Sequence, residues 1–470
     1  MGTINSAFDI ITGALEADQA ALNVVANNVA NANTPGYTNE VPDWQQNPPI
    51  YVSGVQNGDG VTETGSTSQR DRVLEERLDQ QQQLASASGA RLGALNTMQA
   101  LFTPDSGSSS ATAGDIGADI TSFFNSFGSL EANPTDNALR QNVLSTASTL
   151  AGDLSNAAAS LNAQRTALDQ QAAGVASQVN SLTSNLAQLN LEIQSASPHS
   201  DAGVLEDQRQ QDLSQLSQLI GINQVTTENN GLSITTTSGQ LLVSEGQSFS
   251  LTTGVVNGVT NFFVGGTNVT AQLTSGGGEL GGYLTARDID IPNTLGSLDQ
   301  LAYGISTQVN TLNNGGTDLA GDNGNAGDIF AQPTQVAGSA AAMSVVMTDP
   351  NHIAAAALGA GSGDNTNAIA MANLLNQTIV GGQTPTDAYS NFVTTLGSTV
   401  SQVQAANTAQ NASVTQLQTQ NDALSSVNLN DEASSLTLLE RSYQAGSQVF
   451  AMLNTVMAAA LNLGDQTAVS

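Results

Sequence analysis

The residues that could do chemistry in this chain are few and poorly spaced for it. Glu75-Glu76 and Asp431-Glu432 are adjacent carboxylate pairs. A catalytic pair must face across a cleft, whereas neighbours in sequence point apart on a helix. Asp431 and Glu432 follow Asn428 and Asn430 at what reads as a helix start, where acidic side chains suit the helix dipole. The two histidines, His199 and His352, stand far apart near prolines and read as surface loop residues without ligand partners. Gly276-x-Gly278-x-x-Gly281 spells a dinucleotide fingerprint, but no strand–turn–helix unit or acidic ribose partner accompanies it, so it reads as a loop. The stretch from Asp318 to Asp328 hints at calcium. An EF-hand register started at Asp322 fails, because Gly324 and Pro333 fall where ligands belong, and the stretch reads as a turn-rich loop. The expectation is a non-enzyme with no cofactor and no resident metal.

Composition narrows the field further. The 470 residues carry 40 acidic against 9 basic side chains, a net charge of −31, and every basic residue is Arg. Without Lys there is neither a Walker lysine nor a Schiff base, and without Cys there is no thiolate, disulfide or Cys-ligated metal. Such a charge repels phosphate backbones and anionic lipid, so neither nucleic acid nor membrane is an expected partner. The most apolar stretch, Val449 to Leu463, is too short to span a bilayer and is interrupted by Asn454 and Asn462. The opening MGTINSAFDIITGALEADQ lacks a basic region before its apolar residues, unlike a cleaved signal. Hydrophobic residues at 39% suffice for a core, and the length fits roughly three domains. What remains is a protein whose contacts are apolar and amide-based.

Those contacts are set by helices. Ile4, Phe8, Ile11, Leu15, Asp18, Leu22, Val25 and Val29 alternate by four and three, a coiled-coil seam broken only at Asp18. Thr34-Pro35-Gly36 ends it with turn chemistry. Residues 38–70, rich in Pro and Gly and holding the only Trp (Trp44), read as an extended linker with at most short edge strands. Helical periodicity returns near Asp71 and ends in a loop at 103–114, and a short helix carries Ile116 to Leu130. The longest pattern runs from Leu139 to Ile193, about 80 Å as a helix, with Gly152 and Gly174 as places for a bend or break. Ser197-Pro198 ends it, and another helix near 203–220 follows. At 222 the period changes to two. Asn230-Gly231, Ser238-Gly239, Asn257-Gly258 and Gly265-Gly266 separate short strands, and helix resumes with Leu295. Val393 to Leu424 form another seam, and Leu436, Leu439, Tyr443, Gly446, Phe450, Leu453, Met457 and Ala460 a last one. The fold class expected is mainly α: a long coiled-coil or helical rod formed by both termini and the central helices, with a small inserted β-rich domain. The nesting gives a terminal coiled-coil unit (1–70 and 395–470), a helical rod (71–221 and 285–394) and an outer β-rich module (222–284).

The stretch Leu22-Asn-Val-Val-Ala-Asn27-Asn28-Val29-Ala-Asn31-Ala-Asn-Thr34-Pro35-Gly36-Tyr37 resembles the N-terminal signature of bacterial flagellar axial proteins. Ser426-Val-Asn428-Leu429-Asn-Asp431-Glu432-Ala433, with Tyr443-Gln-Ala445, Val449 and Leu461-Asn-Leu463, is similar to the ending of the FlgK family of hook-associated proteins. Leu205-Glu-Asp-Gln-Arg209, Gly363 to Ala368 and Asp318 to Phe330 are similar to internal segments of that family, in the same order. Thr38-Asn39-Glu40, Glu440 and Ser442 depart from its usual pattern, and the β module is short. The resemblance implies a secreted structural protein of the hook–filament junction, exported unfolded through the flagellar type III channel, with terminal helices that order when copies form a ring. It implies as partners identical subunits, the hook protein, a second hook-associated junction protein and an export chaperone for the C-terminal helix. Its implied assembly residues are Ile11, Leu15, Leu22, Val25, Asn28, Val29, Asn31, Pro35, Gly36, Tyr37, Asn428, Leu429, Leu436, Tyr443, Phe450 and Leu453. A hook or distal-rod protein shares the N-terminal signature but passes early into β-rich domains. A binding protein or adhesin on a flagellar scaffold is the other alternative.

Overall fold

The computed structural model describes residues 2–52, 55–103, 115–197, 201–256 and 258–466. Gly54, loop residues 104–114, Pro198, His199 and Asn257 lie outside the described residues. The protein is mainly α, as its sequence period requires. Helix α1 (Gly2–Asn31) is followed by strands β1 (Glu40–Gln46), β2 (Ile50–Val52), β3 (Val55–Asn57) and β4 (Val61–Ser68). This segment is more ordered than the linker expected from its Pro and Gly content. β1 pairs antiparallel with β4 over the whole length of β1, with an irregularity at Asp43/Trp44, and β2 pairs with β3. A two-stranded ribbon leaves each strand a free edge, so Pro42 can stand in β1 without breaking the ladder.

Asp71 caps α2 (Arg72–Ala100) by accepting from the Val73 and Leu74 amides. Then come α3 (Ile116–Ala132), α4 (Asn137–Ala196) and α5 (Val204–Leu219). α4 runs 60 residues without a break at Gly152 or Gly174. Buried Ala151 and Leu154 flank the first glycine and buried Val175 and Ala176 the second, and their packing outweighs a propensity cost of about 1 kcal/mol each. α4 spans two cores. Its first half packs with α2 and α3 around Phe123, Phe124, Phe127 and Phe330. Its second half, from Ala172 to Ala187, covers the β-rich region.

That region holds β5 (Ile222–Thr226), β6 (Leu232–Thr236), β7 (Leu241–Ser244) and β8 (Gln247–Ser248) in one antiparallel sheet. β9 (Leu251–Val256), β10 (Val259–Val264) and β11 (Thr267–Asn268) form a second, in the order β11-β10-β9. Asn229 and Asn230 adopt positive φ in the β5–β6 turn, where Asn tolerates the left-handed region.

After α6 (Thr270–Thr274), helix resumes earlier than the periodicity indicates. α7 (Gly278–Thr285) continues through a π-helical turn (Ala286–Asp290) into α8 (Ile291–Asn314). Gly278 of the glycine run therefore opens a helix, and its backbone lies against Leu219–Ile220 too closely for a Cβ. Short helices α9 (Ser339–Ala342) and α10 (Thr366–Asn373) pack on this core, and α11 (Pro385–Ser425) lies along α2. α12 (Leu429–Gln466) returns to pair with α1. His352 is not the partnerless surface residue expected: its Nδ1 lies 2.8 Å from Asp318 Oδ2. Fold proximity across 34 residues, invisible to sequence spacing, brings them together.

Candidate assembly interface

The two chain ends meet as an antiparallel helix pair. Phe8 and Phe450 stack edge to face with ring centroids 5.3 Å apart. Further along, a Cβ at Gly446 would sit 3.0 Å from Leu15 Cδ2, so the glycine lets the helices approach closely. Ala21 and Val25 then pack on Leu439, with Leu22 beside them. Near the end of α1, Asn28 Nδ2 donates to Glu432 Oε1 at 3.3 Å. Residue numbers rise along one helix and fall along the other, which fixes the direction.

Asn28 is the polar hub of this pair and is almost wholly buried. Its amide also donates to the Glu40 carbonyl at 2.8 Å, and its Oδ1 accepts from the Glu40 N–H at 3.1 Å and the Tyr37 hydroxyl at 2.8 Å. One side chain thus ties α1, the ribbon and α12 together. Burial, helped by the Glu40 charge, pushes the Tyr37 phenol up to about 12, so it stays a donor. Burial also raises the Glu432 carboxyl. The turn leading to Tyr37 is built by Asn31, whose Oδ1 accepts from Thr34 Oγ1, and by Gly36 at φ +80, a conformation that excludes most side chains. Asn428 Oδ1 accepts the Asn430 amide at the start of α12.

The ribbon joins this pair to the rod through charges. The Thr38 N–H donates to Asp207 Oδ2 at 3.0 Å, and Arg70 donates to Asp207 Oδ1. Arg72 pairs with the buried Glu206 at 2.9 Å. Glu75, close by, is pushed up to about 7 by burial, with Arg70 opposing, and burial raises Asp79 to about 6 despite hydrogen bonds from Gln224 and Gln210.

Of the sixteen residues singled out above, Val25 and Asn28 are buried in the pair, while Ile11, Leu15, Leu22, Asn31, Tyr37, Phe450 and Leu453 are half-buried. Val29, Pro35, Gly36, Asn428, Leu429, Leu436 and Tyr443 are exposed in the single chain. Periodicity in large apolar residues missed Ala17 and Ala21, which are both buried on α1, Ala21 against Leu439, because small side chains carry little hydropathy signal. It also missed Glu432, which does more than favour a dipole. The carboxylate pairs do point apart, with Glu75 and Glu432 buried and Glu76 and Asp431 exposed.

Comparison with known proteins gives a consistent picture. The family described as flagellar hook-associated protein FlgK helical domain matches residues 105–330, and that of the flagella basal body rod protein matches residues 8–38. The flagellar hook-associated protein 1 of Escherichia coli (strain K12) is 24% identical over 546 aligned positions, covering 96% of this chain and 98% of that protein. The flagellar hook-associated protein 1 of Bacillus subtilis (strain 168) is 28% identical over 519 positions, covering 96% of each. Both alignments exceed the 470 residues here, so the relatives carry insertions that this chain lacks. The structure of the flagellar hook junction protein FlgK from Burkholderia pseudomallei aligns with a TM-score of 0.63 at 19% identity, over 73% of this chain and 99% of that one.

Proposed function

Starting from the premise that the chain belongs to the FlgK family of flagellar hook-associated proteins, we propose that its paired ends build the junction between hook and filament. It is a structural component of the bacterial flagellum, and its place is in that extracellular organelle. No helix among the described residues is long and apolar enough to cross a membrane.

The observation that carries the reading is a second apolar stripe on α12. Leu439, Gly446 and Phe450 face α1, but Leu438, Val449, Met452 and Val456 are all exposed, at 70%, 37%, 61% and 53%. At roughly 100° per residue the second stripe lies about a quarter-turn round the helix from the first. Pairing within one chain therefore covers a single face. Ordering a helix costs about 1–2 kcal/mol per residue in backbone entropy, which one thin contact recovers poorly. Neighbouring copies that bury the second stripe supply the difference.

In this reading the sixteen candidate residues form axial contacts, those exposed in the single chain meeting neighbours. Residues 1–70 and 395–470 make the axial unit, 71–221 and 285–394 the rod, and 222–284 the outer module. The partners are identical subunits in a ring, hook protein on one side and a second hook-associated protein on the other, with an export chaperone holding α12 beforehand.

Two substitutions test this. Phe450→Asp sets a charge against Phe8, and Met452→Asp places one on the uncovered stripe. Both variants keep the helical circular dichroism of the rod and fail to enter purified flagella. Normal incorporation of Met452→Asp would contradict the reading, because that side chain takes no part in the pair with α1.

A further inference from the structure

The chain holds no Cys, so no disulfide can clamp it outside the cell. A different clamp is available where the loop following α8 meets the 3-10 turn Pro350–His352. We propose that Asp318, Asp322 and His352 bind one divalent first-row transition cation of the Zn2+ type, which ties that loop to that turn.

The geometry carries the proposal. Among the described residues these three offer ligand atoms all within 4.8 Å of one another. His352 Nδ1 stands 2.8 Å from Asp318 Oδ2 and 3.5 Å from Asp322 Oδ2. Around a zinc ion with bonds of about 2.0–2.2 Å, neighbouring donors lie roughly 3–3.6 Å apart, so only small shifts are needed. Two carboxylates converge on one ring nitrogen, which carries at most one proton and can donate it to only one of them well.

The donors are held in place from behind. Asp318 Oδ1 accepts the Asp322 N–H at 2.8 Å, and the Asp318 side chain is fully buried. The His352 carbonyl accepts from Asn313 Nδ2 at 3.1 Å, the Pro350 carbonyl from Arg140 at 3.3 Å, and the Leu319 N–H donates to the Asn351 carbonyl at 3.0 Å. Such supporting bonds hold ligands in a binding geometry before the ion arrives. An imidazole beside two carboxylates suits zinc, manganese or nickel, whereas calcium takes oxygen ligands.

Two carboxylates balance a dication. Asp349 adds negative charge near the ring, and Arg140 opposes it from the Asp318 side. On binding, the Nδ1 proton leaves to solvent and the imidazole nitrogen takes its place on the metal. Only the fold brings His352 to Asp318 and Asp322, so the ion favours the folded state by mass action.

The test titrates the metal-stripped full chain with Zn2+ by calorimetry in excess Mg2+, which occupies scattered surface carboxylates. Expected are one Zn2+ per chain and a raised thermal midpoint. Asp322→Asn, at a half-exposed residue that the fold tolerates losing, and His352→Gln each weaken binding by at least about tenfold. Both keep the wild-type circular dichroism, and His199→Gln binds as wild type. Absence of saturable binding overturns the proposal, as does binding unchanged in Asp322→Asn and His352→Gln or lost only in His199→Gln.

Discussion

Asn28 shows how much a single amide can hold. It satisfies a carbonyl and a backbone N–H of β1, the phenol of Tyr37 in the turn before it, and a carboxylate of α12. Removing it by Asn28→Ala strands those groups, and the local cost is about 2–3 kcal/mol. Hydrogen exchange is expected to speed up at residues 37–46 and at the start of α12, while the middle of α4 is unchanged. Glu75 is the opposite case, a buried carboxyl with too little support. Its folded value, about 7, lies above its ordinary one, so the folded state holds the proton more tightly. Its contribution is therefore fully present below about pH 4.5 and is lost as pH rises through about 7. Glu75→Gln should raise stability by about 1–2 kcal/mol at pH 8 and change it little at pH 4.5, as read from denaturant midpoints.

α4 is a single 60-residue helix with two glycines in its interior. A Cβ at Gly152 or Gly174 would meet nothing within 4 Å. Both sit inside a continuous helix, so Gly152→Ala and Gly174→Ala should each stabilise the rod by about 0.5–1 kcal/mol, measurable by thermal unfolding. The same helix shows what sequence makes legible. Its apolar residues recur at helical spacing for 60 residues, and period alone marks it. Both terminal seams and the change to strands at residue 222 are legible for the same reason. The β1–β4 ribbon was harder to see, because Pro and Gly mark turns and its strands pair polar residues such as Glu40 with Ser68. The early start of α7 was hidden by three glycines whose backbone approach only the fold explains. In the interface, Phe450 and Val25 stood out through size and spacing. Ala21 and the Asn28–Glu432 bond did not, since packing of small residues and partners 404 residues apart leave no local signal.

At the largest scale, a helical body built along α4 carries chain ends that are brought together. Two cores along α4 make the body, and a charged joint at Arg70, Arg72, Glu206 and Asp207 connects it to the terminal pair. The pair is thin: its buried apolar cluster is Ala21, Val25 and Leu439, with Leu22 alongside. Set against the two large cores, that contact is small, and under the proposed function the ends are the part of the isolated chain that opens most easily and gains most from neighbours. Hydrogen exchange with mass spectrometry, on the dilute single chain and on the same protein within purified flagella, addresses this directly. The account predicts that amides of α1 and α12 exchange within seconds to minutes in the single chain and become protected after assembly, while α4 stays protected in both. Equal, strong protection of α1 and α12 in the dilute chain would contradict it.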